Sequence, residues 1–468
     1  MIESVPDTIE KLQEGLLKKN YSCVELVDYY LNRIKKYDSS LNSFLTISED
    51  SAYSQAKKMD KVLNGGSFSL SEYPLLGVVV SFKDLFLTKG IRTTAGSKVL
   101  QSYVPPYSST VVMKLLSAGA IMIGKTNCDA WAHGASGENS DYGPTKNPWN
   151  KKYVPGGSSS GAAVSVSSDF SFVALGTDTG GSVRQPASFT NLVGLKPTYG
   201  LVSRYGVVAM ASSLDTIGHF TKTVEDSRRI LAVTGGIDNY DSTLCGEKGE
   251  KIGEKIKIGI PKEYFGEGLD LEVREIILKA IEILKKKGIA FKEVSLPHTE
   301  YAVPVYYVIQ PAEVSSNLSR YDGVRYGNDR DSFGSEARRR IMLGTYVLSE
   351  GYRDAYYLKA MKVRKKISDD FDHVFVDVDA ILCPTAPTPA FKLGEKANDP
   401  LKMYLADIYT ASASLAGIPG LSIPAGFTKD KRPVGMQLLG KRFNENKLFD
   451  IGEMFQKLTN YHLEKPVI

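Results

Sequence analysis

An α/β protein, with helices on both faces of a sheet, is predicted by three observations. Short β-branched runs recur along the chain, amphipathic helical segments separate them, and the composition is that of a packed globular protein. Hydrophobic residues make up 42% of the 468 positions and charged residues 24%, which excludes disorder, collagen and coiled coil as descriptions of the whole. Lysine and arginine number 58 against 53 acidic residues, a net charge of +5. An excess this small gives no argument for nucleic acid or membrane binding.

Ser22 and Glu25 form a capping box ahead of a helix carrying Leu26, Tyr30 and Ile34, so the first seventy residues are expected to be helical. Gly77 to Phe82 reads as a strand, and Val111 to Ser117 as a helix leading through Gly119 into a second strand, Ala120 to Ile123. From Pro144 to Gly206 the composition shifts to Gly, Ser, Thr and Pro, too polar and too kinked to be all core. Beyond Ser242 come a strand, Ile256 to Ile260, and a helix with Val273, Ile276, Ile277, Ala280, Ile281 and Leu284 on one face, closed by Gly288. A strand follows near Ile289 to Val294. Helices are predicted over Ala302 to Leu318 and Glu336 to Phe371, and strands over Ala380 to Cys383, Gly420 to Pro424 and Val434 to Leu439.

The most apolar segments are interrupted by Lys114 and Asp169 before reaching the ~18 residues of a membrane span. No basic stretch followed by an apolar run opens the sequence, so a soluble, untargeted, cytoplasmic protein is expected. Cys23, Cys128, Cys245 and Cys383 stand apart from one another and from histidine. That argues against structural zinc and for a reducing compartment.

Two motifs fail on context. Gly119 to Thr126 fits the written P-loop pattern, but its four middle residues are apolar and themselves read as strand, leaving no amides to cradle phosphate. Gly157 to Gly161 has nucleophile-elbow spacing, which any Gly/Ser tract meets, and none of His133, His219, His298, His373 and His462 stands in a triad context.

A constellation of serine and lysine is sharper. Pro155 to Gly161 holds Ser158, and 24 positions later Gly176 to Pro186 holds Ser182, each hydroxyl set among glycines. Glycine lets backbone approach closely and aims successive amides at one point, so Thr179, Gly180, Gly181 and Ser182 can form an oxyanion hole; tight turns or an anion site are the plain alternative. Lys83 ends the strand begun at Gly77. On the surface it is a solvated cap; buried, it loses its proton more easily and becomes a base able to activate a serine.

These elements resemble the amidase signature family. Gly156 to Gly161, Gly176 to Pro186 and Val193 to Gly200 look like its signature core, and the 75 positions from Lys83 to Ser158 match its spacing. The resemblance implies an α/β/α amidase signature fold with a large mixed central sheet covered by helices on both faces. It implies a single domain over 1–468, with a helical segment at 1–70 and the core at 73–220. It further implies a Ser, cis-Ser, Lys triad: Ser182 as nucleophile, Ser158 as proton relay behind a cis peptide, and Lys83 as base.

Within the family the chain is similar to the glutaminase subunits of tRNA-dependent amidotransferases. Glu138 to Ser140 with Asn147 to Trp149, the run Val202 to Asp215, and the segments Arg338 to Thr345 and Met403 to Tyr409 carry this. The similarity implies glutamine as substrate, with Arg340 taking its α-carboxylate and Asp407 its α-ammonium, and either Tyr306 or Tyr307 lining the pocket. It implies amidotransferase B and C subunits as partners in a heterotrimer, Glu-tRNA(Gln) reached through the complex, and no cofactor in this chain, with ATP and Mg²⁺ in the partner subunit. The rivals are a stand-alone amidase acting on another small amide and a non-catalytic scaffold subunit. Departures from the pattern occur at Cys128 to Trp131, at Ser422 to Gly426, and in a shortened segment between Tyr326 and Arg338.

Overall fold

The computed structural model describes residues 2, 4–65, 69–246, 256–321, 325, 327–397 and 399–468. The strands among them are β1 (Phe44–Ile47), β2 (Val79–Lys83), β3 (Ile121–Thr126), β4 (Val173–Asp178), β5 (Val193–Lys196), β6 (Thr216–Thr221), β7 (Lys257–Pro261), β8 (Ala290–Val294), β9 (Ala380–Pro384), β10 (Gly420–Phe427) and β11 (Pro433–Gly440). They form a single sheet in the order β1-β3-β2-β4-β6-β5-β10-β11-β9-β7-β8. β2 runs parallel to β3 and β4, and β7 to β8 and β9; the other pairs are antiparallel, so the sheet is mixed. One apolar core gathers helices Ile9–Leu17 and Cys23–Tyr37 against β2 and β3; a second gathers helix Leu271–Lys286 against β9, β10 and β11.

Both halves of the Ser22/Glu25 capping box are present, and the strands expected from β-branched runs form within a few residues of their expected limits. Four features differ from expectation. First, the Gly/Ser-rich stretch is core: it supplies β4, β5 and helices Ser160–Ser167 and Arg184–Thr190, and nearly all of it is buried. Small residues are what that packing requires, since a Cβ on Gly194 would stand 2.5 Å from the Ala187 Cβ. Second, the N-terminal helical segment contains β1, paired with β3. Third, the long helix expected over Glu336 to Phe371 is broken into Ser335–Leu348, a π-helical turn at Asp354–Leu358 and Lys359–Asp377. Gly351, with φ at +81°, lies in the break, where the left-handed backbone suits a residue without Cβ. Fourth, β6 has no counterpart in the expected elements.

β3 runs through the pattern that resembles a P-loop. Lys125 is fully buried in that strand, 3.1 Å from Asp84 and 2.7 Å from the Thr93 hydroxyl. Among the described residues no helix is long and apolar enough to cross a membrane.

Candidate active site

Strand β2, third from one edge of the sheet, delivers Lys83 with β3 on one side and β4 on the other. Its Nζ is fully buried and lies 2.8 Å from Ser158 Oγ, 3.1 Å from Ser159 Oγ and 2.8 Å from Thr177 Oγ1. Burial lowers its pKa to about 8, against the opposing pull of Cys128, Asp129, Asp215 and Asp178. Ser159 gives its own proton to the Thr177 carbonyl at 3.1 Å, so it accepts from the lysine. A neutral amine has two N–H donors and one lone pair. Three hydroxyls therefore match it, with the lone pair free to accept from Ser158.

Ser158 follows a cis peptide bond from Gly157 and sits just ahead of helix Ser160–Ser167. Its carbonyl accepts from Asp129 N–H at 3.2 Å, and the Gly157 N–H donates to Gln185 Oε1 at 3.2 Å. The Asp129 carboxylate is itself held by Gly137 N–H at 3.0 Å and Asn139 N–H at 2.8 Å. Asp129 belongs to the departing stretch Cys128 to Trp131, so that stretch supports the Ser158 loop. Trp131 of the same stretch packs against Tyr321 and Phe333, with ring centroids 4.7 and 5.3 Å apart. Trp131 thus bridges Tyr321, ahead of the shortened segment, and Phe333 within it; Tyr326 itself lies outside the described residues. The other departure, Ser422 to Gly426, is part of β10.

The loop from Thr179 to Ser182 leaves β4 and enters helix Arg184–Thr190. Asp178 folds it back by accepting from Val183 N–H at 3.1 Å and from Arg184 Nε and Nη2 at 3.0 and 2.8 Å, all fully buried. Thr179 Oγ1 donates to Asp215 at 2.8 Å, and Thr410 Oγ1 donates to the Gly180 carbonyl at 2.6 Å. A Cβ on Gly180 would stand 2.7 Å from the Tyr306 ring, and one on Gly181 2.3 Å from Thr410 Oγ1, which is why both are glycine. Among the described residues no protein acceptor takes the amides of Thr179, Gly180, Gly181 or Ser182. Four such N–H groups in one loop can bind an oxyanion. The Ser182 carbonyl accepts from Ser159 N–H at 3.3 Å, while its Oγ has no hydrogen-bond partner among the described residues. Lys83 and Ser158 are thus in contact, and Ser182 stands beside them with its hydroxyl uncommitted.

Of the three consecutive arginines in helix Ser335–Leu348, Arg340 faces inward. Ala337, Arg340, Gly344 and Val347 form the buried helical stripe. Arg338 and Arg339 are exposed and pair with Asp331 and Glu336. Arg340 Nε donates to Glu336 at 2.8 Å and Nη1 to Gln310 at 2.7 Å, while the guanidinium lies over the rings of Tyr307 and Tyr404. The two adjacent tyrosines divide the work. Tyr306 packs on Gly180, whereas Tyr307 stacks on Tyr404 and lines a cavity of about 180 Å³ with Arg340. Asp407 is buried, its carboxylate without a hydrogen bond among the described residues, 3.4 Å from where a Gly181 Cβ would be. Burial raises its pKa to about 7, and Arg340 opposes the rise. The loop thus has an unpaired carboxylate close by, and an arginine beyond the tyrosine pair. Among the described residues no cluster of three or more His, Cys, Asp or Glu is arranged to hold a metal ion.

Ser158 and Ser182 were legible from their glycine settings, and Lys83 from its place at the end of an apolar strand. Thr177 lies inside the Gly176 to Pro186 motif, which assigns it no role, and Asp129 inside the Cys128 to Trp131 departure; Gln310 and His133 carry no local motif, and only the fold brings them near Arg340.

Residues 25–449 match the model of the Amidase family. The glutamyl-tRNA(Gln) amidotransferase A subunit of Marinomonas sp. (strain MWYL1) is 48% identical over 98% of both chains. The protein of that name from Carboxydothermus hydrogenoformans is 49% identical, again over 98% of each. Among solved structures, the glutamyl-tRNA(Gln) amidotransferase A subunit from Thermotoga maritima is 41% identical and superposes with a TM-score of 0.82, covering 98% of this chain and 97% of that one.

Proposed function

The chain belongs to the amidase family, and from that premise we propose that it is the glutaminase subunit of a glutamyl-tRNA(Gln) amidotransferase. It hydrolyses glutamine to glutamate and ammonia, and a partner subunit uses the ammonia to convert Glu-tRNA(Gln) to Gln-tRNA(Gln). The observation that carries the chemistry is the fully buried Lys83 Nζ, 2.8 Å from Ser158 Oγ.

In the reaction, Ser182 Oγ attacks the side-chain amide carbon of glutamine. Its proton passes to Ser158 as the Ser158 proton passes to the neutral amine of Lys83. Negative charge on the former carbonyl oxygen is taken up by the free amides of Thr179, Gly180, Gly181 and Ser182. Collapse expels ammonia, with the proton returned through the same relay, and leaves a glutamyl ester on Ser182. Water then attacks that ester, again with Lys83 as base, and glutamate departs. Arg340 pairs with the α-carboxylate and Asp407 with the α-ammonium, two charges that a simple amide lacks. This favours an amino-acid substrate over a general small amide, and the complete reaction machinery speaks against a non-catalytic scaffold.

The wider reading includes B and C subunits as partners, ATP and Mg²⁺ at work in the partner that activates the tRNA-borne glutamate, and a cytoplasmic setting. The unbroken sheet supports a single domain over 1–468. The experiment is glutamine hydrolysis by the purified chain with and without its partner subunits. Within it, Arg340→Ala and Asp407→Asn are each expected to weaken glutamine use by roughly ten- to a hundredfold, the loss of one charge-assisted contact. The same variants should lose far less on a neutral amide. Equal losses on both substrates would mean that these residues support the fold or the catalytic step.

A further inference from the structure

Arg340 stands in an anion site that the protein leaves unfinished. Its Nε is held by Glu336 and its Nη1 by Gln310, while Nη2 has no acceptor among the described residues. Because arginine only donates, the Gln310 carboxamide must turn its oxygen toward Arg340, and its NH₂ group is left over. That Nε2 is buried and has no hydrogen-bond partner. A third group is His133, which lines the cavity of about 180 Å³ together with Arg340, Tyr307 and Tyr404. Its ring is fully buried, and neither Nδ1 nor Nε2 has a partner. Burial, reinforced by the Arg340 charge, holds His133 well below its ordinary pKa, so the ring is neutral with one N–H to give.

The acidic residues on this cavity do not complete the site. Glu336 is shared between Arg340 Nε and Arg339 Nη1. Glu138 accepts from Gly394 N–H at 2.6 Å through Oε1, while its Oε2 is unpaired. Buried donors without acceptors are rare, because each has given up water for nothing in return. Unused donors on Arg340 itself and on two neighbours from separate segments, Gln310 and His133, point to an occupant that brings acceptors.

We propose that Gln310 and His133 complete, with Arg340, a three-donor clamp for the α-carboxylate of the amino-acid substrate. The clamp rests on the reading that Arg340 binds that carboxylate. A carboxylate offers two oxygens with about four lone-pair sites, enough for all three donors. A substrate with a carboxamide or hydrogen there leaves buried donors unpaired, which is a strong basis for rejection. Gln310 and His133 thereby set specificity without touching the scissile amide.

The test measures glutamine kinetics with the full chain in its complex for Gln310→Leu, His133→Leu, His133→Asn, His133→Gln and Arg340→Ala. Each leucine variant is expected to raise KM about tenfold with a much smaller change in kcat, as loss of a hydrogen bond to a charged group does. Asparagine places its amide nitrogen near the position of Nδ1 and glutamine near that of Nε2, so one of the two should restore KM and thereby identify the donating nitrogen. In the Ser182→Ala background, calorimetric glutamine affinity should fall by the same factors. If Arg340→Ala raises KM while both leucine variants leave it unchanged, the clamp is wrong and Arg340 acts alone. If Arg340→Ala itself leaves KM unchanged, the placement of the carboxylate fails instead. A fall in kcat with KM unmoved, or no rescue by either polar variant, would make His133 structural and overturn its part. Should His133→Leu not fold, Gln310→Leu and the two polar variants still decide the matter.

Discussion

Ser182→Ala is expected to abolish glutamine hydrolysis, with a loss of roughly 10⁴- to 10⁶-fold, the scale seen when an acyl-transfer nucleophile is removed. The fold should survive the change, because the Ser182 hydroxyl has no hydrogen-bond partner among the described residues and the loop is held by Asp178, Thr410 and Ser159 instead. Steady-state turnover and thermal melting of the same preparation check both halves. Retention of even a tenth of the activity by a folded variant would remove Ser182 from the mechanism.

The second large effect belongs to Lys83. Lys83→Ala should lose at least the roughly 10²- to 10⁴-fold that a general base contributes, and more if Ser158 loses its place with it. Lys83→Arg should not rescue, since arginine stays protonated. The sign of the pH dependence follows from burial. The folded-state pKa of Lys83 is depressed to about 8, and the active form is the neutral amine. Activity of the free enzyme should therefore rise as pH increases through about 8 and fall below it. A profile flat across that range, or activity in Lys83→Arg, would rule out the neutral-lysine base.

How much of this was legible without coordinates depends on the element. Strand β2 announces itself by a β-branched run, β9 and β11 by short apolar runs, and helix Leu271–Lys286 by its apolar stripe and the glycine after it. The stretch from Pro144 to Gly206 misleads because polarity and glycine content ordinarily mark loops. Here small residues allow helices and strands to approach closely, and the hydroxyls are satisfied by one another inside the core, as Ser81, Ser165 and Ser171 are. β1 is only four residues long, and its pairing with β3 is a tertiary fact. At the site, Lys83 and the two serines carry local signals. The inward turn of Arg340 follows from helical periodicity once the helix start is known, whereas His133 and Gln310 come into play only because separate segments meet at Arg340, His133 across the cavity and Gln310 through a hydrogen bond.

The central claim is a serine acyl-enzyme formed with glutamine, and acid quenching of the wild-type chain during turnover followed by peptide mass mapping tests it most directly. The account predicts a glutamyl ester on the peptide carrying Ser182, absent from Ser182→Ala and lost again when glutamine is exhausted. A glutamyl adduct on any other residue, or turnover of glutamine by the chain with Ser182 unmodified throughout, would contradict it.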